Sequence, residues 1–468
     1  MTSRPLWQYS ATELHQAFLA GGATPAQALH SCLERIAAVQ PAINAFVAMR
    51  TEQALQEAQA STARYQQGKP LSVLDGVPVS IKDNLLTSDM PTTWGTPGMA
   101  QYQPPQEELA VSRLRAAGAI IVGKTNVPEF TLEGYTDNPL FGPSRNPWDV
   151  ALTPGGSSGG AAASVAAGCT PVALGTDGGG SIRRPAAHCG IVGLKPTIGT
   201  VARTEGLPSL LLDFEVVGLL GRTVDDVQAL LSVLEGPVAA DPASQDIPIW
   251  RHPTLSTHRS NAPVMRLLYV PTLDAAPVDP EIARACTQAL SVLPYPATQG
   301  ALPLDLQDIT AAWPKVAQIG LANLFAQRPD WAAKASPKYR NMAEQGVALP
   351  ATFLWQLQEL VVQLRRDCAT LFTEWDVIAI PCTAAQPWPA QKAYPEVIAG
   401  QTVGPRGHAV MTGWVNAAGL PAISVPVQAD TQGLPIGLQL VARPGNEALL
   451  LQLAHHLQAR YPTARPPL

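Results

Sequence analysis

Val77, Val79 and Ile81 interleave with Pro78, Ser80 and Lys82, a period of two that predicts a short strand delivering Lys82 and Asp83 into a turn. Residues Val111 to Ala117 read as helical, and the apolar, mostly β-branched run Ala119-Ile-Ile-Val122, bounded by Gly118 and Gly123, predicts a buried strand after that helix. Helix and strand therefore alternate. Ser10-Ala-Thr-Glu13 and Thr24-Pro25-Ala-Gln27 have capping-box spacing, so two helices open the chain; Pro25 falls where its missing N–H costs nothing. From Thr153 to Pro196 the pattern gives way to Gly, Ser, Ala and Thr, which implies tight turns and close backbone approaches. Gly236 to Ala262 has no periodicity and reads as a long surface connection before the strand-like Met265 to Val270. Leu293 to Gly407 carries prolines and tryptophans in irregular spacing. Leu420 to Val441 returns to strand-like runs, and Ala448 to Arg460 to a helical one. No internal repeat is present.

Composition narrows the class. The 468 residues are 46% hydrophobic and 14% charged, which excludes disorder for most of the length and leaves core burial unrestricted. The net charge of −5 offers no footprint for a nucleic-acid backbone. Six scattered cysteines without a C-x-x-C pair suggest neither a zinc site nor a disulfide framework, and fit reduced thiols in a cytoplasm. The N-terminus lacks an apolar run behind a basic segment, and the uncharged stretch Leu152 to Thr176 is too rich in Gly, Ser and Pro for a membrane span. A cytoplasmic protein with no membrane partner is expected.

Two pattern matches mislead. Gly118-Ala-Ile-Ile-Val-Gly-Lys-Thr125 satisfies G-x-x-x-x-G-K-T, but its interior is itself strand-like and Pro128 interrupts the helix a phosphate loop needs. Gly155-Gly-Ser157-Ser-Gly159 satisfies G-x-S-x-G, yet Thr153 and Pro154 replace the apolar strand that should feed a nucleophile elbow. None of the eight histidines stands in a context that announces a partner base. His188, the nearest in sequence, reads as structural.

The stronger signal is four segments in order: Gly76-Val-Pro-Val-Ser-Ile-Lys82-Asp-Asn84; Pro154-Gly-Gly-Ser157-Ser158-Gly-Gly-Ala-Ala-Ala; Gly175-Thr176-Asp177-Gly178-Gly179-Gly180-Ser181-Ile-Arg183-Arg184-Pro-Ala; and Cys189-Gly-Ile-Val-Gly-Leu-Lys-Pro-Thr197. This set resembles the amidase signature family, over about residues 10–235 and again 406–458. The resemblance implies an α/β fold with a mixed central β-sheet covered on both faces by α-helices. It implies one domain over 1–468, with its core at about 60–235 and 406–458, and 236–405 forming the substrate pocket and lid.

The chemistry of the residues agrees. A serine hydroxyl is a weak nucleophile until a neighbouring base takes its proton, and without histidine the available base is lysine. Free lysine is charged at pH 7, but burial disfavours the ammonium, and Lys82 ends an apolar strand. Carried over from the family, Ser181 matches the acyl-accepting nucleophile, Ser157 the bridging serine and Lys82 the base. A serine in the bridging position can accept and donate a proton, as amide cleavage requires for the leaving nitrogen. Gly178, Gly179, Gly180 and Ser181 would turn backbone N–H groups toward the developing oxyanion. Gly178 departs from the bulkier residue often found there. Asp177 and Arg183 match a structural ion pair, with Ser158 and Thr176 ordering the site.

Thr131 and Leu132 are expected to line the acyl side of the pocket. The aromatic middle segment, with Trp313, Leu324, Phe325, Trp331, Trp355 and Trp388, is expected to supply the remaining pocket and lid. The resemblance thus implies metal-free, cofactor-free hydrolysis of an amide-type C–N bond in a small apolar or aryl-bearing substrate, with carbamates (urethanes), anilides and esters within the same chemistry, by a monomer or homodimer. Two alternatives stay open: the glutaminase subunit of an aminoacyl-tRNA amidotransferase, and a catalytically silent binding subunit on the same scaffold.

Overall fold

The computed structural model of the chain describes residues 4–245, 265–274 and 276–468. Both predicted capping boxes form. Ser10 accepts from the Glu13 N–H while Glu13 accepts from the Ser10 N–H, and Thr24 and Gln27 do the same, opening the helices Ala11–Leu19 and Pro25–Ile43.

The described strands are β1 (Phe46–Met49), β2 (Pro78–Lys82), β3 (Ile120–Thr125), β4 (Val172–Asp177), β5 (Val192–Lys195), β6 (Val216–Gly221), β7 (Leu267–Tyr269), β8 (Ala297–Gln299), β9 (Val377–Pro381), β10 (Val397–Ile398), β11 (Gln401–Thr402), β12 (Ala422–Pro426) and β13 (Gly437–Ala442). Apart from the β10–β11 hairpin they form one sheet, in the order β1-β3-β2-β4-β6-β5-β12-β13-β9-β7-β8. The pairs β3/β2, β2/β4, β9/β7 and β7/β8 are parallel and the others antiparallel, which is the mixed sheet expected.

Side chains alternate across the sheet, so each face has its own core. Val79, Ile81, Leu174, Leu219, Leu267, Tyr269 and Leu440 point to one face and pack with the helices Leu109–Ala116, Val224–Leu234, Pro280–Leu290 and Glu447–Arg460. Their strand neighbours Leu268, Ile378, Ile380, Ala422 and Val441 pack on the other face against Gln307–Gln327 and Ala351–Glu374. On that same face Ala173 and Leu220 meet the helices Gly159–Ala166 and Arg183–Cys189.

The middle of the chain differs from its reading as pocket and lid. Residues 265–299 and 377–381 supply β7, β8 and β9, so 236–405 contributes a flank of the main sheet. Its prolines also break less than their number suggests. Pro329 and Pro337 open the helices Pro329–Lys334 and Pro337–Val347, where no intrahelical N–H bond is due, and Pro350 precedes Ala351–Glu374. The connection read over 236–262 falls largely on residues 246–264, outside the described ones. Among the described residues no helix is long and apolar enough to cross a membrane.

Candidate active site

Parallel pairing of β2 with β4 sets Ile81 beside Leu174, so Lys82 and Thr176 emerge at the same end of the sheet. Lys82 is fully buried. Its Nζ lies 2.8 Å from Ser157 Oγ and donates to Thr176 Oγ1 at 2.8 Å and to the Thr176 carbonyl at 3.2 Å. Burial drives its pKa down to about 7, against the opposing pull of the Glu215 and Asp177 carboxylates. Ser157 and Ser158 precede the helix Gly159–Ala166, and the Ser158 hydroxyl also donates to the Thr176 carbonyl, at 3.1 Å. Thr176, expected only to order the site, anchors both Lys82 and Ser158.

Ser181 follows the glycine loop and opens the turn into the helix Arg183–Cys189. Its backbone carbonyl accepts from the Ser158 N–H at 3.2 Å, and its Oγ has no hydrogen-bond partner among the described residues. Ser157 and Ser181 are thus tied through the Ser158 backbone, while their two hydroxyls are not hydrogen-bonded to each other.

Asp177 organises the loop. It accepts from the N–H groups of Gly180 (2.7 Å) and Ile182 (3.1 Å), from the Arg183 guanidinium (2.9 and 3.0 Å) and from Asn416 Nδ2 (3.0 Å). Burial alone would raise its pKa, but the Arg183 guanidinium holds the carboxyl far below the usual range. This buried pair matches the expected one. Gly180 departs from expectation: its N–H is already spent on Asp177, which leaves the amides of Gly178, Gly179 and Ser181 without a partner among the described residues. Gly180 sits at φ 110°, where L side chains are strained. The room left by the small Gly178 is filled, since a Cβ there would stand 2.7 Å from Leu211 Cδ1.

Thr131 and Leu132 line a cavity of about 350 Å³ together with Asn84, Trp94, Phe130 and the loop Arg203–Leu212. Thr131 is held at φ 56° and its hydroxyl accepts from Trp94 Nε1 at 3.1 Å. Asn84 links the cavity to Thr176, which also holds Lys82: its Nδ2 donates to Thr176 Oγ1 at 3.0 Å, while its buried Oδ1 has no partner among the described residues. Asn84 stands in the Lys82 motif, although nothing there marks its role. Asn416 lies more than 230 residues from Asp177 and has no local signal.

The aromatic expectations divide. Trp313 presses on the loop, where a Cβ at Gly179 would meet its ring at 2.9 Å. Leu324, Phe325 and Trp331 pack behind the cavity wall with Phe130 and Trp94. Trp388 packs against His408, with ring centroids 4.6 Å apart and the planes tilted by 56°. Trp355 contradicts its expected place: it is 71% exposed on the helix Ala351–Glu374, because the face of that helix defined by Leu357, Val361 and Leu364 takes the core instead. His188 approaches the Ala385 carbonyl at 3.3 Å, its pKa lowered to about 4 by burial, and hydrogen-bonds to neither serine. Lys124 of the misleading phosphate-loop pattern is buried in β3 and is engaged by the Leu85 carbonyl, Thr92 and Asp83.

Fold and site together have the form of a C–N hydrolase with an amine in place of the usual imidazole. The chain belongs to the amidase signature family, whose model, described as Amidase, matches residues 27–451. It is 35% identical to a glutamyl-tRNA(Gln) amidotransferase subunit of Chloroflexus aurantiacus, over 97% of this chain and 99% of that one. It is 33% identical to an acylamidase of Rhodococcus erythropolis, over 99% and 98%. Among solved structures, 6-aminohexanoate cyclic dimer hydrolase with substrate aligns over 99% of both chains at 26% identity and TM-score 0.88. A bacterial aryl acylamidase of the amidase signature family aligns over 98% of this chain and 97% of that one, at 26% identity and TM-score 0.86.

Proposed function

We propose that the protein hydrolyses an amide-type C–N bond in a small, apolar or aryl-bearing substrate through an acyl-enzyme on Ser181. The carrying observation is the buried Lys82–Ser157 contact beside an unbonded serine on a loop with free amides. A neutral Lys82 accepts the Ser157 proton, and Ser157 accepts that of Ser181 as Ser181 Oγ attacks the carbonyl carbon. Ser181 Oγ gives up no hydrogen bond in turning toward Ser157. The oxyanion falls to the N–H groups of Gly178, Gly179 and Ser181. The proton then returns along the two hydroxyls to the departing nitrogen, and water later attacks the acyl-enzyme.

The cavity walls of Trp94, Phe130, Leu132 and Leu210 support an apolar or aryl acyl group. Carbamates share the planar carbonyl on nitrogen, and anilides and esters meet the same machinery. The relatives that belong to amidotransferases favour a second reading, a glutaminase working with a partner. Two measurements on the isolated chain decide: fluorophosphonate labelling mapped to Ser181, and released amine from a panel of aryl amides, carbamates, esters and glutamine. Turnover of aryl amides supports the first reading. Turnover of glutamine alone supports the second, and an unlabelled Ser181 would leave a silent binding protein on the same scaffold.

A further inference from the structure

The three glycines before Ser181 meet different walls. A Cβ at Gly178 would strike Leu211 and approach Glu215, both lining the cavity, whereas a Cβ at Gly180 would meet Thr412 and, at 3.0 Å, Arg184 Nε. Arg184 stands on the Gly180 side, and Arg406 stands by Gly413, next in the chain to the Thr412 that bounds Gly180; neither guanidinium has a carboxylate in contact among the described residues. Arg184 is only 7% exposed and donates to two carbonyls, Gly180 O at 3.3 Å and Gly156 O at 3.4 Å. Arg406 lies 5.2 Å over the ring of Trp313, the same ring that walls Gly179, and its guanidinium has no hydrogen bond or ion pair with any described residue.

Arg113 and Arg222 likewise have no described carboxylate in contact, but two carbonyls hold each of them, whereas Arg406 has not even these among the described residues. Arg183 and Arg203 are each clamped by carboxylates. Glu133, the acidic group whose field reaches both Arg184 and Arg406, is bound to Lys338 and Tyr339. Burial lowers Arg184 to about 10 and Arg406 to about 9, and the charge of Arg184 pushes Arg406 further down. His408 and His188 share the neighbourhood. His408 is buried with neither ring nitrogen hydrogen-bonded, and burial beside Arg184 keeps it neutral, so it adds no third cation; the field of Asp177 reaches Arg184, but that carboxylate is already taken by Arg183. Arg406 is half-buried, and its nitrogens and Arg184 Nη1 have no acceptor among the described residues, so both guanidinium groups have donors left for an incoming anion.

We infer that Arg184 and Arg406 receive a carboxylate borne by the substrate, on the side of Ser181 opposite the apolar cavity. This rests on Ser181 being the acylated serine. The substrate class is then an amide with one apolar or aryl end and one carboxylate end, held so that the scissile carbonyl lies between them. Guanidinium forks match a planar carboxylate in two parallel hydrogen bonds, which fixes register as well as affinity.

Two matched pairs test the placement: acetanilide against 4-acetamidobenzoate, with the charge on the amine side, and butyranilide against succinanilate, with the charge on the acyl side. The expected result is a kcat/KM about ten- to hundredfold higher for the charged member of one pair. That ratio falls toward one in Arg184→Gln and in Arg406→Gln and is kept in Arg406→Lys. Calorimetry with benzoate, benzamide and phenyl phosphate reads the site without turnover; wild type should bind benzoate at least about tenfold more tightly than benzamide, and Arg406→Gln should lose the difference. Equal turnover within both pairs, benzoate bound no better than benzamide, or a preference surviving both glutamine variants would overturn the inference. Tighter binding of phenyl phosphate would assign the site to phosphate and overturn it as well. An unlabelled Ser181 with intact benzoate binding would instead defeat the hydrolase reading and leave the anion site standing.

Discussion

Lys82 Nζ lies 2.8 Å from Ser157 Oγ, and the amine's other two hydrogen bonds both end on Thr176. Three partners satisfy either form of the amine: as ammonium it donates three times, and as neutral amine it donates twice to Thr176 and accepts from Ser157. With the pKa brought down to about 7, the neutral form gains population as pH rises through that value. The expected kcat/KM for an amide therefore climbs through about pH 7 and levels off above it. A profile flat from about pH 6 to 9 would take Lys82 off the proton path.

Replacing this amine separates two duties. In the proposed mechanism Lys82→Ala removes the group that returns a proton to the departing nitrogen, which an activated ester's phenolate does not need. The loss on an aryl amide should exceed the loss on the matching p-nitrophenyl ester by about tenfold or more, within the usual span of general acid–base effects. Equal losses on amide and ester would contradict the leaving-group role.

The turn at Gly180 carries a third prediction. Alanine there would be held at φ 110° with its Cβ colliding with Thr412 Oγ1 and only 2.6 Å from Thr412 Cβ. Gly180→Ala should lower stability by about 1–3 kcal/mol and slow fluorophosphonate labelling of Ser181. Chemical denaturation and labelling kinetics check both, and unchanged labelling would mean the loop has slack that the Asp177 contacts deny it.

Lys195 offers a reading of burial apart from the site. It is fully buried, its Nζ donates to the Pro196 carbonyl, and burial brings its pKa to about 7 from an ordinary 10.5. Between about pH 7 and 9 the unfolded chain keeps a proton here that the folded chain has released, so this group makes stability rise with pH. Wild type should gain on Lys195→Met by about 1.4 kcal/mol per pH unit in that window. A difference in unfolding free energy that stays constant with pH would mean the folded amine keeps its proton.

Trp355 stands at the opposite extreme. Exposed at 71% and bonded only to Glu359 on its own helix, it should tolerate Trp355→Ser within about 0.5 kcal/mol, with kcat/KM unaltered. A drop in activity would place a substrate or a partner on that helix.

Lys82, Ser157, Ser158, Asp177, Ser181 and Arg183 were legible in the sequence because short segments with tight spacing carry them, and the local pattern put Lys82 at a strand end. The two capping boxes and β3 were legible for the same reason, being decided within a few residues. What could not be read was settled by partners far along the chain. Asn416 caps the Asp177 carbonyl and Thr412 donates to the Gly179 carbonyl from more than 230 residues away. Gly180's amide is lost to Asp177 only because the loop folds back on its own carboxylate. The helices after Gln307 were obscured because proline at a first helical turn looks, in sequence, like proline that ends one.

Leu211, Trp313 and Thr412, which box in the glycines before Ser181, come from stretches roughly a hundred residues apart. None shares a secondary-structure element with another or with the proton-handling groups. A lineage, or a designer, can thus exchange one side of the enclosure at a time while Ser157 and Ser181 keep their setting.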